Sequence, residues 1–265
     1  MSTCQAGHEK HETLQVAINL YGRKLPDLPR YGDNIAHKMK LNIYDTGPYE
    51  GTEGYCTGDD ELSRGILHCG VWEAFETAVV LDILKNEQPG IVLDFGAHIG
   101  WYSIIAALYG HQVKAFEGDG ENAQMLIANA KLNECEHRVD VSHCWIDENM
   151  QALPLSQILL MKSDLEGKDT EAVRVCRQLF EEKRIKYALI EISPILASGY
   201  PELVEQLASY GYGVYQVPSK GFEHIKEYET APLEALVKYC EVPAEGRAEY
   251  VAGLRQENFL MIRGN

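Results

Sequence analysis

LDFGAHIGWYS, Leu93 to Ser103, lies between the turn pair Pro89-Gly90 and the apolar run that continues through Leu108. Its first residues extend the apolar stretch IVLDF, a strand pattern, and its last ones open a helix. Gly96 and Gly100 fall where strand becomes helix, the place where a ligand can come close to the backbone. A dinucleotide fingerprint opening at Gly96 needs glycines where the chain has His98 and Trp101. A phosphate loop counted from Gly96 needs glycine and lysine where Trp101 and Tyr102 stand. What remains is D-x-G-x-x-x-G, with Asp94 at the strand tip.

The next strand pattern, QVKAFE, ends at Glu117, 21 residues after Gly96. At that spacing a carboxylate accepts the two hydroxyls of a ribose. A ribose without diphosphate, bound beside extra carboxylate, describes a positively charged nucleoside, and S-adenosylmethionine fits. Its own carboxylate would rest on N–H groups at the helix start near Tyr102 and Ser103. For Asp94 the competing reading is a cap on the glycine turn.

Working outward, strand and helix patterns alternate. IVLDF, QVKAFE, RVDVSHCWI, ILLMKSD, YALIEIS, YGVYQV and NFLMIR read as seven strands. Helical patterns separate most of them, among them VWEAFETAVVLDIL ahead of the first and TEAVRVCRQLFEEKR as one unbroken helix. Strands that are apolar nearly throughout predict an α/β fold, a mostly parallel sheet with helices on both faces. Ligands of such sheets bind at the carboxyl ends of the strands. Residues 1–70 read as a lead-in or cap with one short strand near KLNIY and acidic, Gly-rich turns in GPYEGTEGYCTGDDE. Residues 71–265 are read as the main domain, with an irregular or partly helical insertion at about 218–256 that shapes a substrate pocket, or else decorates the surface or makes a dimer contact.

With 265 residues and 45% apolar content the chain can bury one large core. Its formal charge of -16 repels phosphate backbones and anionic lipid, which makes nucleic acid and membrane surfaces poor partners. No apolar run reaches membrane-spanning length and no leader pattern opens the chain, so a cytoplasmic location is expected. Seven scattered cysteines without a C-x-x-C pair suit reduced thiols. Cys4, His8 and His11 lack the second ligand pair of a zinc site and are not read as one.

LDFGAHIGWYS, VKAFEGDGENAQMLIANAKLN, ILLMKSDLEGKD and YALIEISP together resemble the FkbM-like family of S-adenosylmethionine-dependent methyltransferases. The similarity covers roughly Val71 to Ser193. Phe116, Glu117 and Asn122 match the family's Phe-Glu-Pro and following Asn, with Gly118 in place of the proline. Lys162, Asp164, Glu166 and Gly167 match its Lys-Ile-Asp-Val-Glu-Gly, and Glu73 a glutamate ahead of the first strand. His98 stands where the family has Asn. The resemblance implies the Rossmann-like class I methyltransferase sheet, seven strands with the last antiparallel. It also implies a small-molecule acceptor, a sugar or other hydroxylated metabolite.

Methyl transfer from a sulfonium chiefly requires holding the acceptor in line in a dry site. A hydroxyl acceptor must also lose a proton, and a carboxylate at a strand end is its natural recipient. Asp164 and Glu191 end adjacent strands and are the candidate catalytic pair. Candidate cofactor contacts are Glu73, Asp94, Gly96, His98, Gly100, Tyr102, Ser103, Glu117 and Trp145. Each has a plainer role available: Asp164 could bind the cofactor's amino group, Glu191 could cap the helix near Pro201, and Lys162 is expected to pair with Glu166 across the loop. Trp145 would stack on the adenine or fill the rim, and His98 reads as donor or filler ahead of base. Two carboxylates without a third ligand argue against a metal. Three functions compete: a methyltransferase, possible as a homo-oligomer; a binding module that keeps the cofactor without catalysis; and an NAD-dependent oxidoreductase, which the missing glycines weaken.

Overall fold

The structure, a computed structural model, describes residues 15–20, 23–24, 38–43, 61–69, 71–217 and 232–264. Cys4, His8 and His11, most of the Gly-rich acidic stretch, and residues 218–231 of the expected insertion lie outside the described residues. The chain opens with a small sheet of β1 (Gln15–Leu20), β2 (Arg23–Lys24) and β3 (Lys38–Ile43), in the order β2-β1-β3 with β1 and β3 parallel. Two helices follow, α1 (Glu61–Cys69) and α2 (Ala74–Asn86). The main body then alternates: β4 (Ile91–Phe95), α3 (Trp101–Leu108), β5 (Gln112–Glu117), α4 (Gly120–Leu132), β6 (Val139–His143) and β7 (Ile158–Ser163). It continues with α5 (Asp169–Val175), α6 (Arg177–Glu181), β8 (Ile185–Ile192), α7 (Tyr200–Ser209) and β9 (Tyr212–Val217), then α8 (Pro232–Tyr239), α9 (Arg247–Ala252) and β10 (Glu257–Arg263).

Seven strands make the main sheet in the order β6-β5-β4-β7-β8-β10-β9. All neighbours are parallel except β10, which runs antiparallel between β8 and β9. The order reverses beside β4, so the crevice over the carboxyl ends of β4, β5 and β7 is the switch point where α/β sheets bind ligands. The central strands are buried on both faces, every residue of β7 included, which is why their sequences run apolar without alternating. One face packs Val92, Leu160, Leu189 and Leu260 against α2, α3 and α4; the other packs Leu93, Met161, Ile190 and Met261 against α5, α6 and α7. Among the described residues no helix is long and apolar enough to cross a membrane.

Three local expectations change. The expected strand RVDVSHCWI stops at His143, where its pairing with Glu117 ends, so Trp145 follows in a loop and is 68% exposed. The single helix over TEAVRVCRQLFEEKR is two helices joined at Cys176. Residues 61–69, read as part of an irregular lead-in, form α1, whose Leu62, Ser63 and Ile66 are buried.

Asn129, fully buried on α4, joins the early strand β3 to the main body. Its amide donates to the Ile99 carbonyl at 2.8 Å and its oxygen accepts from the Asn42 amide at 2.7 Å. One turn on, Asn133 makes the same kind of pair with Lys40, nearer solvent. Asn129→Ala strands those buried backbone groups and is expected to destabilise the fold by about 3 kcal/mol, against less than about 1 for Asn133→Ala, since water can replace only the exposed partner. Urea denaturation of both variants checks the difference.

Candidate active site

Sheet register brings the acidic tips together. Asp94 on β4 pairs with Ala115 on β5 and Lys162 on β7, while Ser163 pairs with Ile190 on β8 and Glu191 with Asn258 on β10. Side chains two apart share a face. Glu117, Asp94, Lys162, Asp164, Glu191 and Asn258 therefore project toward the α2 and α3 side at the carboxyl end of the sheet.

The loop from Gly96 to Gly100 is built by left-handed residues: Gly96 at φ 76°, His98 at 50° and Gly100 at 98°. Gly96 and Ala97 donate to the Phe116 carbonyl, and the His98 amide donates to Glu117 Oε2 at 2.6 Å. Glu117 Oε1 accepts from the Asp119 amide at 2.8 Å. Each carboxylate oxygen keeps a second lone pair for a ligand. The glycines have a reason different from close approach of a ligand. A Cβ on Gly96 would overlap the Asp164 carbonyl oxygen, and one on Gly100 would overlap Leu126. Asp94 does not reach the crevice either. It is buried, accepts from the Ser103 hydroxyl at 2.6 Å and so fixes the first turn of α3. Burial pushes its carboxyl up to about 6, opposed by the Ser103 bond and Lys162.

Lys162 is 1% exposed and binds Asp164 Oδ2 at 2.9 Å. The expected pair with Glu166 does not form, because Glu166 (φ 49°) and Gly167 (φ 94°) turn the loop away after Asp164. The ammonium also lies 5.2 Å from the centre of the Tyr102 ring, a cation–π distance. Tyr102 donates to Glu73 Oε2 at 2.6 Å, and the Asn258 amide reaches both Glu73 and Glu76 at 3.3 Å. Burial would lower the lysine, yet Asp164, Glu73 and Asp94 outweigh it and hold its pKa above the usual value. Glu76 moves the other way, pushed up to about 7 by burial and by Glu73.

Glu191, 5% exposed, has one oxygen bonded to the Gln256 amide; the other makes no hydrogen bond among the described residues. It caps no helix. Burial, and then the negative charge of Asp164, push its carboxyl up to about 8. Trp145 lies across Gly118, where a Cβ would fall inside the indole, and Lys168 sits 5.9 Å from the ring centre. No set of three metal-ligating side chains converges among the described residues.

Sequence reading missed Glu76, Asn258 and Gln256. Two signals were present: Glu73, Glu76 and Thr77 recur at helical spacing on a helix whose other face is apolar, and Asn258 and Lys162 interrupt otherwise apolar strands. The chemistry of the set is a nest of carboxylates around one buried cation. It can accept several hydrogen bonds, stabilise positive charge and take up a proton.

No family model matches the chain, and no curated protein matches it. Among solved structures, a ribosomal protein L11 methylase from Lactobacillus delbrueckii subsp. bulgaricus superposes with a TM-score of 0.50 at 13% identity, covering 95% of this chain and 96% of the other. At that identity the likeness speaks for the fold alone, the Rossmann-like sheet of class I methyltransferases. Two weaker matches have TM-scores below that. They are a TehB-like SAM-dependent methyltransferase from Corynebacterium glutamicum (0.45, 10% identity, 76% and 94% coverage) and a precorrin-6y C5,15-methyltransferase from Geobacter metallireducens (0.44, 16%, 71% and 88%).

Carboxyls raised on folding bind protons more tightly in the folded chain than in the unfolded one. Their stabilising contribution is complete below the ordinary carboxylate range and is lost as pH rises through the folded values, about 6, 7 and 8 for Asp94, Glu76 and Glu191. The urea midpoint is therefore expected to fall between about pH 5 and about pH 8. Glu191→Gln retains an oxygen for the Gln256 bond and removes the last titration. Its curve should meet wild type near pH 5 and lie above it toward pH 8; separation in the opposite sense contradicts the burial account.

Proposed function

We propose that the protein is an S-adenosylmethionine-dependent methyltransferase, related to the FkbM-like group, that methylates a hydroxyl of a sugar or similar small metabolite. The observation that carries this reading is the gathering of Glu117, Asp164, Glu191 and Glu73 at the carboxyl end of the sheet beside one glycine loop, with Lys162 buried against Asp164 as counterion. Such a set suits a positively charged nucleoside and opposes a diphosphate. When bound, the cofactor supplies an electrophilic methyl on a sulfonium. The FkbM-like placement is favoured by Phe116, Glu117, Asn122, Lys162, Asp164, Glu166 and Gly167.

Glu117 would hold the ribose hydroxyls through its remaining lone pairs, and Trp145 the adenine. The N–H groups opening α3 at Trp101, Tyr102 and Ser103 would receive the cofactor carboxylate, since the first turn of a helix leaves its N–H groups without intrahelical partners. Asp164 and Glu73 suit the ammonium. Glu191, abreast of Asp164, is left to face the acceptor hydroxyl and its proton. Burial of Asp94, Lys162 and Glu191 keeps bulk water from the reacting groups.

Thermal unfolding tests the reading. The melting temperature is expected to rise with saturating S-adenosylmethionine and with S-adenosylhomocysteine, and to stay put with NAD. Glu117→Ala should weaken binding of both ligands by about 100-fold, the scale of two lost hydrogen bonds to a charged group, and Glu117→Gln by about tenfold. A shift with NAD alone, or none with either sulfur compound, would defeat it.

A further inference from the structure

We propose that Glu191 is the proton acceptor of the reaction and that it stays protonated until a positively charged methyl donor enters the site, so that the base exists only in the loaded enzyme. This inference rests on the methyl-transfer reading above and adds a division of labour between the two strand-end carboxylates.

The division follows from their partners. Asp164 is committed to Lys162 at 2.9 Å, and that ammonium is 98% buried at its side chain. Protonating Asp164 would leave a buried cation without its counter-charge, a strongly unfavourable outcome. Glu191 has no cationic partner among the described residues. Asp164 just past the end of β7, Glu166 in the loop that follows and, from the other face of the sheet, Asp169 at the start of α5 all act on it with negative charge. From the β10 side it meets the Gln256 amide and, in register, Asn258, both neutral. Beyond Asn258 lie Glu73 and Glu76 on the α2 side. Its second oxygen, buried and without a hydrogen bond among the described residues, is the atom left for a ligand. A carboxyl in such surroundings keeps its proton near neutral pH, in accord with the direction given above for Glu191.

A unit of positive charge reverses that field. An opposite charge within about 4–6 Å lowers a carboxyl pKa by about 1–3, enough to carry Glu191 through neutrality. The proton account then closes over one turnover. Glu191 releases its proton to solvent as the cation arrives. It takes the acceptor's hydroxyl proton as the O–CH3 bond forms and the S–CH3 bond breaks, with the electron pair of that bond returning to sulfur. It ends protonated beside an uncharged sulfur, which is its resting state. The net proton released by methylating an alcohol with a sulfonium thus leaves at the binding step.

Isothermal titration calorimetry at pH 7.5, in buffers of different ionisation heat, counts protons released per ligand bound and needs no acceptor. S-adenosylmethionine is expected to release more than about half a proton, and S-adenosylhomocysteine, which lacks the sulfonium, much less. Glu191→Gln should still bind S-adenosylmethionine and lose the release, whereas Glu76→Gln should keep it, which separates Glu191 from the other raised carboxyl nearby. Equal release with both ligands in the wild type overturns the proposal, and that arm stands even if a variant does not fold. So does release that survives Glu191→Gln. Binding without any release sinks this inference and leaves the methyltransferase reading intact; no binding of either sulfur compound sinks both.

Discussion

A lysine ammonium buried inside a parallel sheet is stable only with a counter-charge in contact, and in this protein the contact between Lys162 and Asp164 sets the arrangement of everything around it. Asp164 cannot swing toward solvent without stranding that ammonium. The tip of β7 is thereby fixed. Tyr102 lies over the same cation and passes its hydroxyl to Glu73, so α3 and the start of α2 are tied to β7 through one charge. Glu73 stands in the left-handed region at φ 42°, just before the first turn of α2, which its bonds to Tyr102 and Asn258 help to hold.

The opposite face of the sheet secures the same loop from below. Asp169, fully buried, accepts from the Ser163 hydroxyl at 2.6 Å, from the Leu165 amide at 3.1 Å and from the Tyr200 hydroxyl at 3.0 Å. Residues 164–168 are thus pinned between the Lys162 pair on one face and Asp169 on the other. Gly96 then fits against the Asp164 carbonyl, so the glycine loop and the loop after β7 are packed as one piece. Support from both faces of the sheet leaves the Asp164 carboxylate little freedom to move.

Two positions at which the chain differs from the FkbM-like pattern become intelligible in space. Gly118, where that family has proline, leaves room for the Trp145 indole to lie over the end of β5 beside Glu117. His98, where the family has asparagine, adopts φ 50°, a conformation Asn and His tolerate better than most residues, and offers Glu117 its backbone amide. The contact with Glu117 at that position is made by the main-chain amide.

The sequence by itself determined the alternation of apolar strands with amphipathic helices, and IVLDF, QVKAFE and YGVYQV have the bounds their patterns imply. It also determined that Asp94, Glu117, Asp164 and Glu191 stand at or near strand tips, because a period of two and a turn signal are local properties written into consecutive residues. Only the tertiary structure decided what each carboxylate does. Asp94 turned inward to Ser103, Lys162 chose Asp164 over Glu166, and Glu76 from α2, Asn258 from β10 and Gln256 from the turn before β10 joined from segments up to 185 residues away. Pairing, burial and local field are sums over neighbours brought together by sheet register, and no stretch of sequence contains those neighbours at once.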